Sequence, residues 1–216
     1  MKLIRLCARG ALLILLCVLL GGCDRAPFGE YTLDGGLVCR VWGSSSGIRR
    51  LETTAADGTL ERFSLKSPDI EPDPQGGVAL VDLDFDGHTD LSIKHRQYPD
   101  GEARYLCFLW RDGRLVRHEG LSQLRGLTVH PETRTLTAWA YRTVEEEEES
   151  RAHLTYVWHE GEPVLTEKTE LIHYLEDEIY CRVVWTAAPG EELTMAEEDW
   201  IFVEEYDPDQ IWGDKE

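Results

Sequence analysis

Residues 78–94 read VALVDLDFDGHTDLSIK, and this stretch decides the fold. Asp82, Asp84, Asp86 and Asp90 fall at relative positions 1, 3, 5 and 9 of a loop, with Gly87 at position 6. Calcium is a hard cation that takes six to eight oxygens, and a tight loop with alternate acidic side chains turned inward supplies them at this spacing. Gly87 permits the positive φ of the sharp turn. His88, at position 7, would offer its backbone carbonyl, and Asp90 would ligate directly or through a water. Position 12, where a helix-loop-helix calcium site carries a bidentate glutamate, is Ile93.

The flanks are strand-like rather than helical. Val78 to Val81 and the run 91–94 are short and partly β-branched, which predicts a strand, a calcium loop and a second strand. The competing reading is an Asp-rich hairpin without metal, because Asp-Gly is itself a hairpin signal. Against it stands the mutual repulsion of four carboxylates within nine residues.

Outward from this loop the chain reads as an all-β, antiparallel meander. Turn signals recur at Asp34-Gly35, Asp57-Gly58, Asp100-Gly101, Asp112-Gly113 and Glu160-Gly161, and three prolines make 67–74 a loop. Strands are expected at 36–42, 48–54, 60–65, 78–82, 91–95, 103–110, 114–118, 135–144, 152–159, 163–169 and 179–186. A short helix is expected at 119–125, and a last strand or two within 191–206. Leu106, Cys107, Phe108, Leu109 and Trp110 are apolar on both alternate faces, which places their strand between stacked layers. Cys39-Arg-Val-Trp42, Cys107-Phe-Leu-Trp110 and Cys181-Arg-Val-Val-Trp185 recur at uneven spacing, either as propeller-like blades or because Cys and Trp favour cores.

The loop Val81-Asp-Leu-Asp-Phe-Asp-Gly-His-Thr-Asp-Leu91 resembles that of FG-GAP and VCBS-type repeats, found in integrin α-subunit propellers and many bacterial exported proteins. Followed by Tyr105 to Trp110 and Leu121 to Leu124, it is similar to a bacterial family of small calcium-binding, propeller-like envelope proteins. Some members of that family inhibit lysozyme-type peptidoglycan hydrolases. The resemblance runs roughly from Val78 to Trp185 and is specific at the loop. It implies a propeller-like fold with calcium ligands at Asp82, Asp84, Asp86, His88 (carbonyl) and Asp90. Relatives often carry Asn where Asp84 stands, and no inhibitor motif is matched.

Residues 1–22 look like an export signal: Lys2, Arg5 and Arg9 lead an apolar core at 11–20. That core is short for a transmembrane span. It ends in LGGC at 20–23, which resembles a bacterial lipobox, so Cys23 is the expected lipidated residue and membrane anchor. A plain signal peptide with an incidental cysteine is the alternative. Asp24 resembles an inner-membrane retention signal of enteric-type envelopes. The expected organisation is signal 1–22, lipidated Cys and tether 23–30, β-domain 31–206 with its calcium loop at 82–90, and acidic tail 207–216.

Loss of residues 1–22, which hold three basic residues and no acidic ones, takes the net charge from −19 to −22. Such a surface repels nucleic acid and attracts cations and basic proteins, among them C-type lysozymes. Glu145 to Glu149 form a run suited to a solvated hairpin tip. Beyond Cys23 the mature cysteines are Cys39, Cys107 and Cys181, which allow at most one disulfide among three pairings, with buried thiols the alternative. No Gly-x-Ser-x-Gly, His-Glu-x-x-His, phosphate-loop or Cys-x-x-Cys pattern is present, and the seven histidines have no metal-ligand spacing. Three functions fit: a non-enzymatic calcium-clamped lipoprotein that binds a protein such as a lysozyme-type hydrolase, a carbohydrate-binding or adhesion module, and an unrecognised exported hydrolase.

Overall fold

One strand, Ala103–Arg111, has core on both sides. Leu106 and Phe108 join a cluster with Leu37, Val41, Ile48, Leu51, Leu91, Ile93 and Leu115, whereas Cys107 and Leu109 join another with Leu83, Leu121 and Leu136. Alternation along a pleated strand sends successive side chains to opposite faces, so an apolar run here serves two layers at once. Each such side chain, fully buried, contributes about 1.5–3 kcal/mol.

The structure is a computed structural model and describes residues 27–44, 47–65, 77–143 and 148–212. The export signal at 1–22, Cys23 and the tether up to residue 26 lie outside the described residues, as do the proline-rich loop at 67–74 and Glu145, Glu146 and Glu147.

The fold is all-β and antiparallel. A four-stranded sheet runs in order through β1 (Gly29–Thr32), β2 (Val38–Ser44), β3 (Gly47–Thr54) and β4 (Leu60–Ser64). The second sheet begins with β5 (Val78–Val81), β6 (Asp90–Gln97), β7 (Ala103–Arg111) and β8 (Arg114–Arg117), each paired with the next. It continues through β9 (Arg125–His130), β10 (Thr135–Thr143), β11 (Glu148–His159), β12 (Glu162–Tyr174), β13 (Ile179–Thr186) and β14 (Thr194–Phe202). Its order is β14-β13-β12-β11-β10-β9-β7-β6-β5, and β8 pairs with Phe108 to Arg111 of β7, on the edge that meets β9 at Arg104. Among the described residues, helix is confined to α1 (Glu119–Gln123), α2 (Pro208–Trp212) and two 3-10 turns.

Eleven expected strands and the expected short helix have counterparts, most within two residues at each end. Three features differ from expectation. Gly29 and Glu30, read as tether, belong to β1, whose four residues pair with β2. β9 was not expected at all: RGLTVH is short, carries Gly126 at φ +62°, and meets β7 at a single pair, Arg104 with Arg125. The stretch 207–216, read as an acidic tail, holds α2 and buries Trp212 to 2% exposure. Cys39, Cys107 and Cys181 are free, buried thiols.

The topology places the acidic loop between two layers. Val81 pairs with Asp90, so residues 82–89 close the β5–β6 hairpin. Ile93, where a helix-loop-helix site would carry its glutamate, lies fully buried in the core shared with the first sheet. A strand pinned into the core at that position has no means of bringing a carboxylate back to the loop.

Candidate metal centre

The 82–89 loop is built from hydrogen bonds between its carboxylates and its own backbone. Asp82 accepts from the N–H of Asp86 at 3.2 Å and of Gly87 at 3.0 Å. Asp84 also accepts from Asp86 N–H, at 3.3 Å, and Asp86 accepts from His88 N–H at 2.8 Å. Side-chain oxygens thus replace the ladder that the turn interrupts. Gly87 has φ +90°, as the spacing predicts, and Phe85 also takes a positive φ of 60°. Asp82, Asp84 and Asp86 each present a carboxylate oxygen within 4.8 Å of the other two.

Asp90 stands apart from these three. It is fully buried, and its two oxygens take separate donors, accepting from Leu83 N–H at 2.8 Å and from Trp110 N–H at 2.7 Å. Burial pushes its pKa up to about 7, against the lowering pull of those two N–H donors and with a further push from Asp84 and Asp86. Asp84 is likewise raised, chiefly by burial, although Arg111 opposes the shift. The ring of His88 stacks on Trp110 at 4.0 Å between centroids and lies 3.6 Å from an Asp34 oxygen.

Four residues from distant elements hold this loop, and none is expected from sequence to contact it. Arg111, at the end of β7, pairs with Asp84 and with Asp86, the latter at 3.2 Å. Asp34, in the turn between β1 and β2, accepts the Thr89 N–H at 2.7 Å. The Trp158 indole on β11 donates to Leu83 O at 2.7 Å, and Arg134 from the β9–β10 turn donates to Phe85 O at 2.6 Å. Asp34 stands in sequence as the aspartate of one Asp-Gly turn and Arg111 as the residue before another, and sequence separation hides their contact with the loop.

With strand order and loop geometry in place, the chain can be set beside solved structures. The fold is similar to that of a Xanthomonas type IV secretion system related protein. The two share 16% identity over 78% of this chain and 92% of that one, with a TM-score of 0.51, so the likeness is one of fold. No family model and no curated protein matches the chain.

The residues present fit a hard divalent cation. The donor set of Asp82, Asp84 and Asp86 is all oxygen, and three carboxylates against one guanidinium leave two negative charges uncompensated. The set is smaller than the six to eight oxygens calcium takes, so backbone carbonyls, that of His88 among them, and waters would complete it. Arg111 pairs with one oxygen of Asp84 and one of Asp86, so a cation would share these carboxylates with it. Cations bound in this loop would supply charge neutralisation and a fixed turn.

Beside Arg111 opens a cleft of about 410 Å³ lined by Leu109, Arg117, His118, Glu119 and Glu162. Its two carboxylates are already engaged, Glu119 with Arg117 at 3.0 Å and Glu162 with His118 at 3.2 Å.

Proposed function

We propose that this chain is an exported, membrane-anchored lipoprotein of the cell envelope, held by lipid on Cys23. Its calcium-clamped β-domain binds a basic protein without catalysing a reaction, and its target is a lysozyme-type peptidoglycan hydrolase. The observation that carries this reading is the carboxylate cluster of Asp82, Asp84 and Asp86 in a strand–loop–strand hairpin. That is the context the FG-GAP and VCBS resemblance implies for a calcium loop. Support for the envelope setting comes from the lipobox-like LGGC at 20–23 and from a fold neighbour described as related to a type IV secretion system. Support for a basic partner comes from the net charge of −19, which draws cationic proteins and repels nucleic acid.

The strand pairing also supports a propeller-like arrangement. β1 to β4 form one four-stranded antiparallel meander and β5 to β8 another, packed together through the core that holds Leu51 and Phe108. Propeller blades are four-stranded meanders of this kind. In this reading the 82–89 loop joins the first two strands of the second blade.

Carbohydrate binding or adhesion is the second reading, favoured by Trp200 and Phe202, which are 56% and 60% exposed near one sheet edge. One experiment separates the two. The chain is titrated, with calcium and with chelator, into a turbidity assay of lysozyme on cell walls, and in parallel against soluble cell-wall glycan. Inhibition of the hydrolase without glycan affinity is the expected result. Glycan binding without inhibition of any of several hydrolases would replace the first reading by the second.

A further inference from the structure

The outermost strand of the larger sheet, β14, pairs with β13, and among the described residues nothing pairs with its other edge. Exposed edges are usually guarded by charged side chains, above all lysine, by proline, by short length or by a bulge, because a bare edge recruits other strands. β14 is nine residues long and contains no Lys, Pro or Gly, and its register shift with β13 lies near its start, at Val184/Trp185. Eight of its nine residues are exposed.

The open edge can be given a register. Val203 N–H donates to Glu178 O at 3.1 Å, on the same antiparallel register that sets Ile179 against Phe202 and Val183 against Glu198. Bonding pairs alternate along an antiparallel ladder, so the N–H groups of Ile201 and Asp199 face β13 while those of Phe202, Trp200 and Glu198 face outward. Cross-strand pairing also puts Trp200 and Phe202 on one face with Ile172, Ile179 and Tyr174, and the Trp200 ring stacks on Tyr174 at 5.7 Å. The edge thus joins unused backbone donors to an exposed apolar ledge.

Its charge selects the occupant. Residues 194–205 include Glu197, Glu198, Asp199, Glu204 and Glu205 and no basic residue, and Arg182 on β13 pairs with Glu197 and Asp199. A second copy pairing antiparallel along β14 would set like charges opposite one another, which is destabilising. A strand carrying lysine or arginine at alternate positions would find carboxylates beside it and the Trp200–Phe202 ledge beneath its apolar residues. A glycan would use the rings but none of the three outward N–H groups in register.

We infer that β14 is a docking edge for an extended, basic segment of another protein, which adds to the sheet as a further strand with Glu198, Trp200 and Phe202 donating to it. This rests on the reading of a basic protein partner and names the surface that meets it.

The test uses the full chain in detergent and two fluorescent peptides of about twelve residues, one alternating Lys and Val and the other Glu and Val, with a soluble cell-wall glycan as a third probe. The Lys–Val peptide alone is expected to bind. Glu198→Pro removes an outward N–H without touching a β13 bond and is expected to weaken binding about tenfold, whereas Glu198→Gln, which keeps the N–H, weakens it less. Should the proline variant fold poorly, Trp200→Ala with Phe202→Ala removes the ledge from exposed positions and is expected to weaken binding to a similar degree. Equal binding of the Lys–Val peptide by these variants and the parent overturns the inference, as does binding of the glycan alone. Hydrolase inhibition that persists in the variants would leave the basic-partner reading standing and remove β14 as its site. Peptide binding through β14 by a chain that inhibits no hydrolase would keep the docking edge and remove that target.

Discussion

Arg111 and Asp86 are ion-paired at 3.2 Å across 25 residues of sequence, and the same guanidinium also reaches Asp84. An internal cation therefore already stands at the loop where the carboxylates converge. In the absence of metal Arg111 relieves their repulsion, and in its presence it competes. Arg111→Gln is expected to tighten calcium binding about 3- to 10-fold while lowering the melting temperature in chelator. Calorimetric titration of both proteins checks this, and weaker calcium binding by the variant would show that Arg111 assists the site instead.

Calcium itself is expected to stabilise the fold. Extracellular calcium modules bind with dissociation constants of about 10⁻⁴ to 10⁻³ M, and a ligand at 100 times that constant adds about 2.7 kcal/mol. Thermal melts should rise with calcium and fall with chelator, and Asp82→Ala or Asp86→Ala should abolish the difference. A parent melt unchanged by either addition would count against the metal centre.

Asp90 gives a contrasting expectation, because both its oxygens serve the backbone. Asp90→Ala leaves the N–H groups of Leu83 and Trp110 buried without an acceptor. At about 1–3 kcal/mol for each of the two orphaned donors, the loss is about 2–6 kcal/mol. Asp90→Asn keeps one accepting oxygen and should lose about half of that. The destabilisation should be as large in chelator as in calcium; denaturation midpoints that differ only when calcium is present would make Asp90 a ligand first and a structural pin second.

What could be read in advance follows from range along the chain. The 82–90 loop was legible because its residues lie within nine positions and the chemistry of each is local: carboxylates at 82, 84 and 86, and a glycine where φ turns positive. β7 was legible because an apolar run with no polar alternate fits a strand with two buried faces. β9 was not, since its place in the sheet depends on β10 alongside and on one pair with β7, and its β-branched run, Thr128 and Val129, is only two residues long and follows Gly126. Arg111, Asp34, Trp158 and Arg134 were hidden for the same reason. Their partners are set by tertiary packing, which no spacing rule encodes.

Burial makes a prediction for the thiols. Desolvation pushes Cys39 and Cys107 up to about 12, and Cys181 is also raised. Because the thiolate is the reactive form, none of the three should react with a thiol reagent at pH 8 in the native state, and all should react once the chain is denatured. An unfolded cysteine titrates near 8.5, so between about pH 8.5 and 12 the unfolded state has lost protons that the folded state keeps. Stability from Cys39 and Cys107 is thus full below pH 8.5 and falls as pH rises through that window. Rapid native labelling of Cys39 or Cys107 would contradict their placement.

Trp212 and Trp200 separate a packed end from a free edge. Trp212 is 2% exposed, with its ring against Trp139 at 5.1 Å and the Arg151 guanidinium 5.7 Å from its centroid. Arg151 in turn lies 3.8 Å over Trp139 and is paired with Glu102 at 3.6 Å, a residue that also accepts from Tyr141 at 2.7 Å. A helix of five residues has little stability alone, so α2 stands where it does because this ring is anchored. Trp212→Ala should therefore cost about 3–5 kcal/mol in urea unfolding, as large-to-small changes at buried aromatic positions do. Trp200→Ala, at a position more than half exposed, should stay within about 1 kcal/mol of the parent. If the two substitutions cost the same, α2 does not dock on the β10–β11 face, and residues 207–212 lie in solvent as their charge suggests.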